Sequence, residues 1–187
     1  IRIPLLGIHN VRNSVAATAV AITIGISISD IKKRLKDFKG VQRRFNKIFT
    51  YNGIDFYDDY AHHPTEIREV LNGVSKVYNE FDKVCIFQPH RISRLKDLKK
   101  EFSFAFKKAD TVILCPIYAA GEKRNFKYDH INFAKLISKN SKTQVILVKD
   151  KNELSSYFKK NLISDEVVIG MGAGLISNWI RELKNIL

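Results

Sequence analysis

Cysteine is almost missing: Cys85 and Cys115 are the only two in 187 residues, each inside an apolar, strand-like run. Neither has a second cysteine or a histidine at metal-ligand spacing. A disulfide framework and a closed zinc module are therefore excluded, and no metal site is expected. Core thiols in a reducing compartment fit instead, so the expected location is cytoplasmic. Long apolar runs are missing too. The most apolar region, residues 15–26, is too short and too interrupted to span a bilayer, and no signal peptide is legible, so no membrane insertion is expected. Gly-Lys-Ser and Gly-Lys-Thr occur nowhere, which excludes a Walker-type phosphate loop within these residues. There is no internal repeat, and no interleaving of basic and aromatic residues of the RNA-binding kind. The first residue is Ile1 rather than methionine, so the chain is expected to be part of something longer.

Acidic residues are in deficit: 19 stand against 32 basic ones, leaving a net charge of +13. Such a balance favours polyanionic partners without choosing among nucleotides, nucleic acid and anionic membrane. Much of the excess is lysine strung along helices, as at Lys32, Lys33, Lys36, Lys99, Lys100, Lys107 and Lys108, where solvated faces account for it. No nucleic-acid partner is expected. Hydrophobic residues at 45% and charged residues at 27% describe an ordinary globular chain long enough to bury a full core.

Residues 7 to 38 read as two helices, the first ending at Gly25 and the second capped by Ser29 or Asp30, with Ile31, Leu35 and Phe38 facing inward. Asn10 and Asn13 are three apart, on one side of the first helix. Their amides offer the donor and acceptor pair that a purine edge needs, although helix capping would also account for them. Gly40 breaks the helical pattern and a domain boundary is placed there. Arg43 and Arg44 follow, forks suited to phosphate oxygens.

From residue 45 short β-rich runs alternate with helices. Strands are expected at 46–51, 54–57, 83–87, 111–114, 144–148 and 166–169, and helices near 64–79, 93–108, 129–139, 151–160 and 174–186. This alternation predicts an α/β fold with a mostly parallel sheet covered on both faces, and ligands then belong outside the carboxyl ends of the strands. The unusual residues fall there. Asp58-Asp59-Tyr60-Ala61-His62-His63-Pro64-Thr65-Glu66 joins a strand to a helix, with Pro64 at the first helical position and Glu66 in the first turn. Gln88-Pro89-His90-Arg91-Ile92-Ser93-Arg94, the run Cys115 to Glu122, and Gly170-Met171-Gly172-Ala173-Gly174 follow three other strands. Turns on the opposite edge, such as 79–82 and 139–142, are merely polar. Arg91 and Arg94 would reach one anionic group, a carboxylate or phosphate, with His62 and His90 placed to position or polarise it. The three glycines would let a backbone approach a ligand closely.

The segments His9 to Ala17, Gly40 to Phe45, Asp58 to Glu66, Phe87 to Arg94 and Gly172 to Gly174 resemble, in the same order, the Mur ligases of peptidoglycan synthesis. The nearest branch is the one that joins L-alanine to UDP-N-acetylmuramate. Ala61 departs from that branch, where glycine is common. The murein peptide ligases, which add a tripeptide to UDP-N-acetylmuramate, are the nearest competitor, but Asp59-Tyr60 favours the alanine branch. A non-catalytic nucleotide- or anion-binding module is the remaining alternative.

The resemblance implies an ATP-dependent, amide-forming ligase working through an acyl phosphate. Residues 1–40 would be a helical remnant closing its central ATP-binding domain, and residues 41–187 would form its C-terminal domain, a Rossmann-like, mostly parallel sheet with helices on both faces. The UDP-binding domain, the phosphate loop and the Mg2+ ligands would lie upstream, leaving this chain alone inactive. By position in the family, His9, Asn10 and Asn13 are expected at the nucleotide base, Arg43 and Arg44 at phosphate, and Asp58 near the ribose or phosphates. Tyr60, His62, His90, Arg91 and Arg94 are expected around the muramate carboxylate and the incoming alanine, with His62, His90, Arg91 and Arg94 as the catalytic set.

Overall fold

The computed structural model describes residues 2–5, 7–123 and 129–187. Ile1 and Leu6, inside the span assigned above to a first domain, lie outside the described residues. The chain divides into two compact units, Ile1–Gln42 and Arg43–Leu187.

The first unit is a helical pair. Helix α1 (Ile8–Thr23) starts after Gly7, whose backbone at φ 93° suits glycine, and it has no side-chain cap. Asn10 and Asn13 therefore sit inside the helix, and capping does not account for them. Helix α2 (Ile28–Lys36) is capped by Ser27, whose hydroxyl accepts the Asp30 N–H. This corrects the expected cap at Ser29 or Asp30: the chain turns helical two residues earlier because Ser27 is still extended and can fold its hydroxyl back. Helix α1 has no buried residue, and Ile8, Val11, Val15, Val20 and Ile22 are exposed along it.

The second unit is a six-stranded sheet in the order β1-β2-β6-β3-β4-β5. Strands β1 (Asn46–Tyr51) and β2 (Ile54–Asp59) form an antiparallel hairpin. Its turn is Asn52-Gly53, both at positive φ, the pair that matches the twist of the flanking strands. Strands β3 (Asp82–Phe87), β4 (Thr111–Leu114), β5 (Gln144–Leu147) and β6 (Glu166–Met171) run parallel to β2.

Helices α3 (Pro64–Val77), α4 (Ile92–Asp97), α5 (Lys99–Ser103) and α6 (His130–Ser141) cover one face. Their Ile67, Leu71, Phe102, Phe133 and Ile137 meet Tyr57, Cys85, Phe87, Leu114 and Ile169 from the strands. Helices α7 (Lys151–Asn161) and α8 (Ile176–Leu183) cover the other, with Leu154, Phe158, Ile176 and Ile180 against Phe56, Ile86, Ile113 and Val168. Alternate strand residues thus feed opposite cores, which is why the strands read as nearly continuous apolar runs.

Right-handed crossovers explain the helix placement. The connections from β2 to β3, β3 to β4 and β4 to β5 all step the same way along the sheet and put α3 to α6 on one face, whereas β5 to β6 steps back and puts α7 on the other. The chain leaving β6 enters α8 on that second face, while its neighbours β2 and β3 lead to α3 and α4 on the first. Strand order therefore switches at β6, and in sheets of this kind ligands bind outside the carboxyl ends of the strands at such a switch. The single helix expected over 93–108 is instead two short helices meeting at Leu98 and followed by turns. Leu95, Phe102, Ala105 and Phe106 stay buried throughout, so the apolar spacing persists across a break in the backbone.

Candidate active site

Four loops meet at the carboxyl edge of β2, β6, β3 and β4, and the last residues of β2 prepare the first of them. Asp58 and Asp59 belong to the strand and not to the turn, and both are buried. As neighbours on a strand they point to opposite faces. Asp58 turns toward α8, where its Oδ2 accepts the Ser177 hydroxyl at 2.6 Å and an Arg181 N–H at 3.4 Å, with Arg43 Nε 3.6 Å away. Its Oδ1 is buried without a hydrogen bond among the described residues. Asp59 accepts the Phe45 N–H at 2.8 Å and the Ala61 N–H at 2.7 Å. Burial pushes its carboxyl up to about 6, against the opposing pull of those two bonds and of Arg44. The pair of carboxylates thus ties residues 43–45 and α8 onto the strand end.

His63 is absorbed by local structure. Its Nδ1 accepts the Thr65 N–H at the start of α3, while the Glu66 carboxylate accepts the N–H of both His62 and His63 at 2.9 and 3.2 Å. This reciprocal cap, with Pro64 at the first helical position, fixes the turn and aims His62 outward.

His62 and His90 come together, their rings 5.8 Å apart. Each has its tautomer set by the other ring nitrogen's partner. His62 Nδ1 lies 2.8 Å from the Tyr60 carbonyl oxygen, which can only accept, so Nδ1 carries the proton and a neutral His62 presents a bare Nε2. His90 Nδ1 lies 3.3 Å from Arg94 Nη1, which can only donate, so a neutral His90 presents Nε2–H. The two imidazoles therefore offer one acceptor and one donor. Arg94 Nη1 also donates to the His90 carbonyl at 3.2 Å. Burial, then the charges of His62, Arg94 and Arg91, holds His90 below its ordinary value and so neutral at pH 7.

Tyr60 lies edge-on to His62 at 5.0 Å between ring centroids, and the guanidinium carbons of Arg43 and Arg44 stand 4.8 and 5.8 Å from the centre of its ring. Arg43 is further engaged, donating from Nη2 to the Gly172 carbonyl. Arg91 is exposed at the head of α4, on a backbone at φ 69° and ψ 131° that L-residues rarely adopt. His9, Asn10 and Asn13 lie on the first turns of α1, in the other unit.

Two features depart from the sequence reading. The glycines at the end of β6 and just beyond it make room for protein rather than for a ligand. A Cβ at Gly170 would come within 1.5 Å of Ile180 Cδ1, one at Gly172 within 2.8 Å of the Gln88 carbonyl, and one at Gly174 within 2.5 Å of Gln88 Oε1 and 2.9 Å of Tyr118 Cγ. Tyr118, given no role above, stacks on His90 with centroids 5.5 Å apart. Its signal was its place in a loop on the active edge. The helix-borne partners Ser177 and Arg181 carried none, being separated from Asp58 by more than a hundred residues. Among the described residues no three histidine, cysteine, aspartate or glutamate side chains gather as a metal set.

A family model described as "Mur ligase, glutamate ligase domain" matches residues 43–174. The chain belongs to the Mur ligase family. Over all 187 residues it is 63% identical to a UDP-N-acetylmuramate–L-alanine ligase of Pelagibacter ubique, covering 40% of that protein. Its structure resembles the UDP-N-acetylmuramate-alanine ligase MurC of Thermotoga maritima, with a TM-score of 0.80 and 28% identity over 98% of this chain and 38% of that one. It also shares its fold with a murein peptide ligase from Psychrobacter arcticus, with a TM-score of 0.73 at 21% identity over the whole of this chain and 38% of that one. The chain thus spans about 40% of the length of the curated Mur ligases it matches. No helix of the described residues is long and apolar enough to cross a membrane.

Proposed function

We propose that this chain is the C-terminal part of an ATP-dependent ligase that joins L-alanine to UDP-N-acetylmuramate through an acyl phosphate, in the cytoplasmic stage of peptidoglycan synthesis. The observation that carries the reading is the meeting of Arg91, Arg94 and two histidines of complementary tautomer at one strand edge, in a chain so similar throughout to an alanine-adding ligase. Residues 1–40 close the central ATP-binding domain in this reading, and residues 41–187 are the C-terminal domain.

ATP supplies a phosphoryl group that turns a carboxylate, a poor electrophile, into an activated acyl group. The donor set here fits its anionic part: Arg44 is exposed beside Tyr60, and Arg43 is oriented by Asp58 and the Gly172 carbonyl. In this reading Asp58 serves the nucleotide by orienting Arg43. His9, Asn10 and Asn13 are the residues proposed for the base. Mg2+ finds no acidic set among the described residues, and its ligands are assigned to the upstream part. Arg91 and Arg94 hold the anionic groups of muramate and alanine, and Tyr60 borders the same space. The bare Nε2 of His62 is suited to take a proton from the incoming amine, and His90 Nε2–H to donate to the oxygen that gathers charge as the amide forms.

The test is phosphate release by the chain rejoined to its upstream domains. Release that needs both UDP-N-acetylmuramate and L-alanine is expected, with none from the chain alone. Release with a tripeptide but not with alanine would overturn the assignment in favour of the peptide-adding branch.

A further inference from the structure

The segment that carries both arginines lacks a cap of its own. Helix α4 has six residues, and the residue at its N-cap is Arg91, with no side-chain hydrogen bond to the helix. An N-cap side chain normally accepts an N–H from the first turn, and arginine has no acceptor to offer. Glu122, from the loop after β4, does this from outside. Its carboxylate accepts the Ser93 N–H at 2.9 Å and the Ser93 hydroxyl at 2.5 Å.

The same loop grips the residues on the other side of Arg91. The Arg91 N–H donates to the Tyr118 carbonyl at 2.9 Å, and the Tyr118 N–H donates to the Pro89 carbonyl at 2.8 Å. The Tyr118 ring stacks on His90 and is itself seated over Gly174. Arg91 is thus held in a rarely populated backbone conformation from both directions, and such conformations persist where their surroundings over-determine them. Arg94, one turn along the same helix, is held by His90, whose carbonyl accepts its Nη1 at 3.2 Å.

We propose that Glu122 is a positioning residue: through Ser93 it fixes the start of α4 and so presents Arg91 and Arg94 as a preformed fork for an anion. Only the identity of that anion, a substrate carboxylate or phosphoryl group, rests on the function proposed above. The sign of the effect separates positioning from plain electrostatics. A carboxylate close to Arg91 opposes anion binding there by its charge, so its removal would tighten binding if charge were its only influence. If it positions the fork, its removal weakens binding.

The experiment titrates the 187-residue chain with inorganic phosphate and follows the NMR shifts of His90 and Arg91. Glu122→Ala is expected to weaken phosphate about tenfold, Ser93→Ala, which keeps the N–H contact and loses only the hydroxyl one, by less, and the double variant by no more than Glu122→Ala alone, because that change already breaks the hydroxyl contact. Glu122→Gln, which keeps one acceptor oxygen, should recover part of the loss and guards against a folding failure in the alanine variant. Equal or tighter phosphate binding by Glu122→Ala and Glu122→Gln overturns the proposal, as does full additivity of the two alanine changes. In the rejoined enzyme, Glu122→Ala should raise KM for L-alanine or UDP-N-acetylmuramate. A rejoined wild-type enzyme with no alanine-dependent turnover would defeat the functional reading and leave the phosphate result standing on its own.

Discussion

Replacing Arg91 with glycine should make the protein more stable while removing a side chain proposed to bind substrate. Arg91 has φ 69° and ψ 131°, outside the regions open to residues with a Cβ. Holding a residue there costs about 1–3 kcal/mol. Glycine removes that cost but gives the unfolded chain more freedom, worth about 0.5–1 kcal/mol against it. The side chain itself is exposed, so little packing is lost. The net expectation is roughly 1 kcal/mol of stabilisation for Arg91→Gly. Arg91→Ala keeps the Cβ and the strain and should stay within about 0.5 kcal/mol of the parent. Urea unfolding of the 187-residue chain with both variants measures this as a shift in midpoint at constant slope. In the rejoined enzyme both variants should lose activity. A glycine variant no more stable than the alanine variant would refute the claim that strain is stored at this position, and normal turnover by either would refute the anion-binding role.

Asp58→Ala should cost about 2 kcal/mol: the charge-assisted bond to Ser177 is worth about 1.5–3, half-exposed Arg181 adds little, and relief of the unpaired Oδ1 subtracts. Denaturant midpoints check it, and an unchanged midpoint would mean that the carboxylate anchors nothing. Gly170→Ala should destabilise by about 1–3 kcal/mol through overpacking against Ile180. Ile180→Val, which deletes the Cδ1 in the way, should rescue it beyond the sum of the single effects. At pH 7, long-range 1H–15N spectra should show His62 protonated at Nδ1 and His90 at Nε2; the same tautomer in both would refute the paired roles. His90 titrates below its ordinary 6.5 when folded. The unfolded chain therefore takes up that proton first, and the stability this residue contributes is full above 6.5 and lost as pH falls through 6.5 toward the folded value.

Much of the second unit was legible because its local signals agree. The short β-rich runs at 46–51 and 54–57 name strands, Pro64 with Glu66 names a helix start, and the loops rich in unusual residues all follow strands. What escaped the sequence was non-local. Asp58 and Asp59 read as a turn because carboxylates are rarely buried in strands, and only α8 and residues 43–45, remote in the chain, supply the partners that let them extend β2. The break at Leu98 was hidden because the apolar spacing runs on through it. The glycines at and beyond the end of β6 read as ligand-facing because the residues filling their space, Ile180, Gln88 and Tyr118, come from three other segments. The bond that Ser93, in α4, donates to Glu122, in the loop after β4, spans 29 residues, a distance over which no periodicity speaks.

The position of β6 has a consequence for how the site comes into being. It is the last of the six strands along the chain, yet it lies between β2 and β3 and pairs with both. During synthesis the β1–β2 hairpin and the β3–β4–β5 sheet emerge first as two separate edges with no hydrogen-bonded seam between them. Only when residues 166–171 insert does His62, following β2, come to rest beside His90, following β3. Such late, long-range closure is intrinsically slow and leaves two open strand edges in the meantime. A nascent or prematurely terminated chain therefore carries every active-edge motif before β6 but not the pairing of His62 with His90, which arrives in one step, with the final strand.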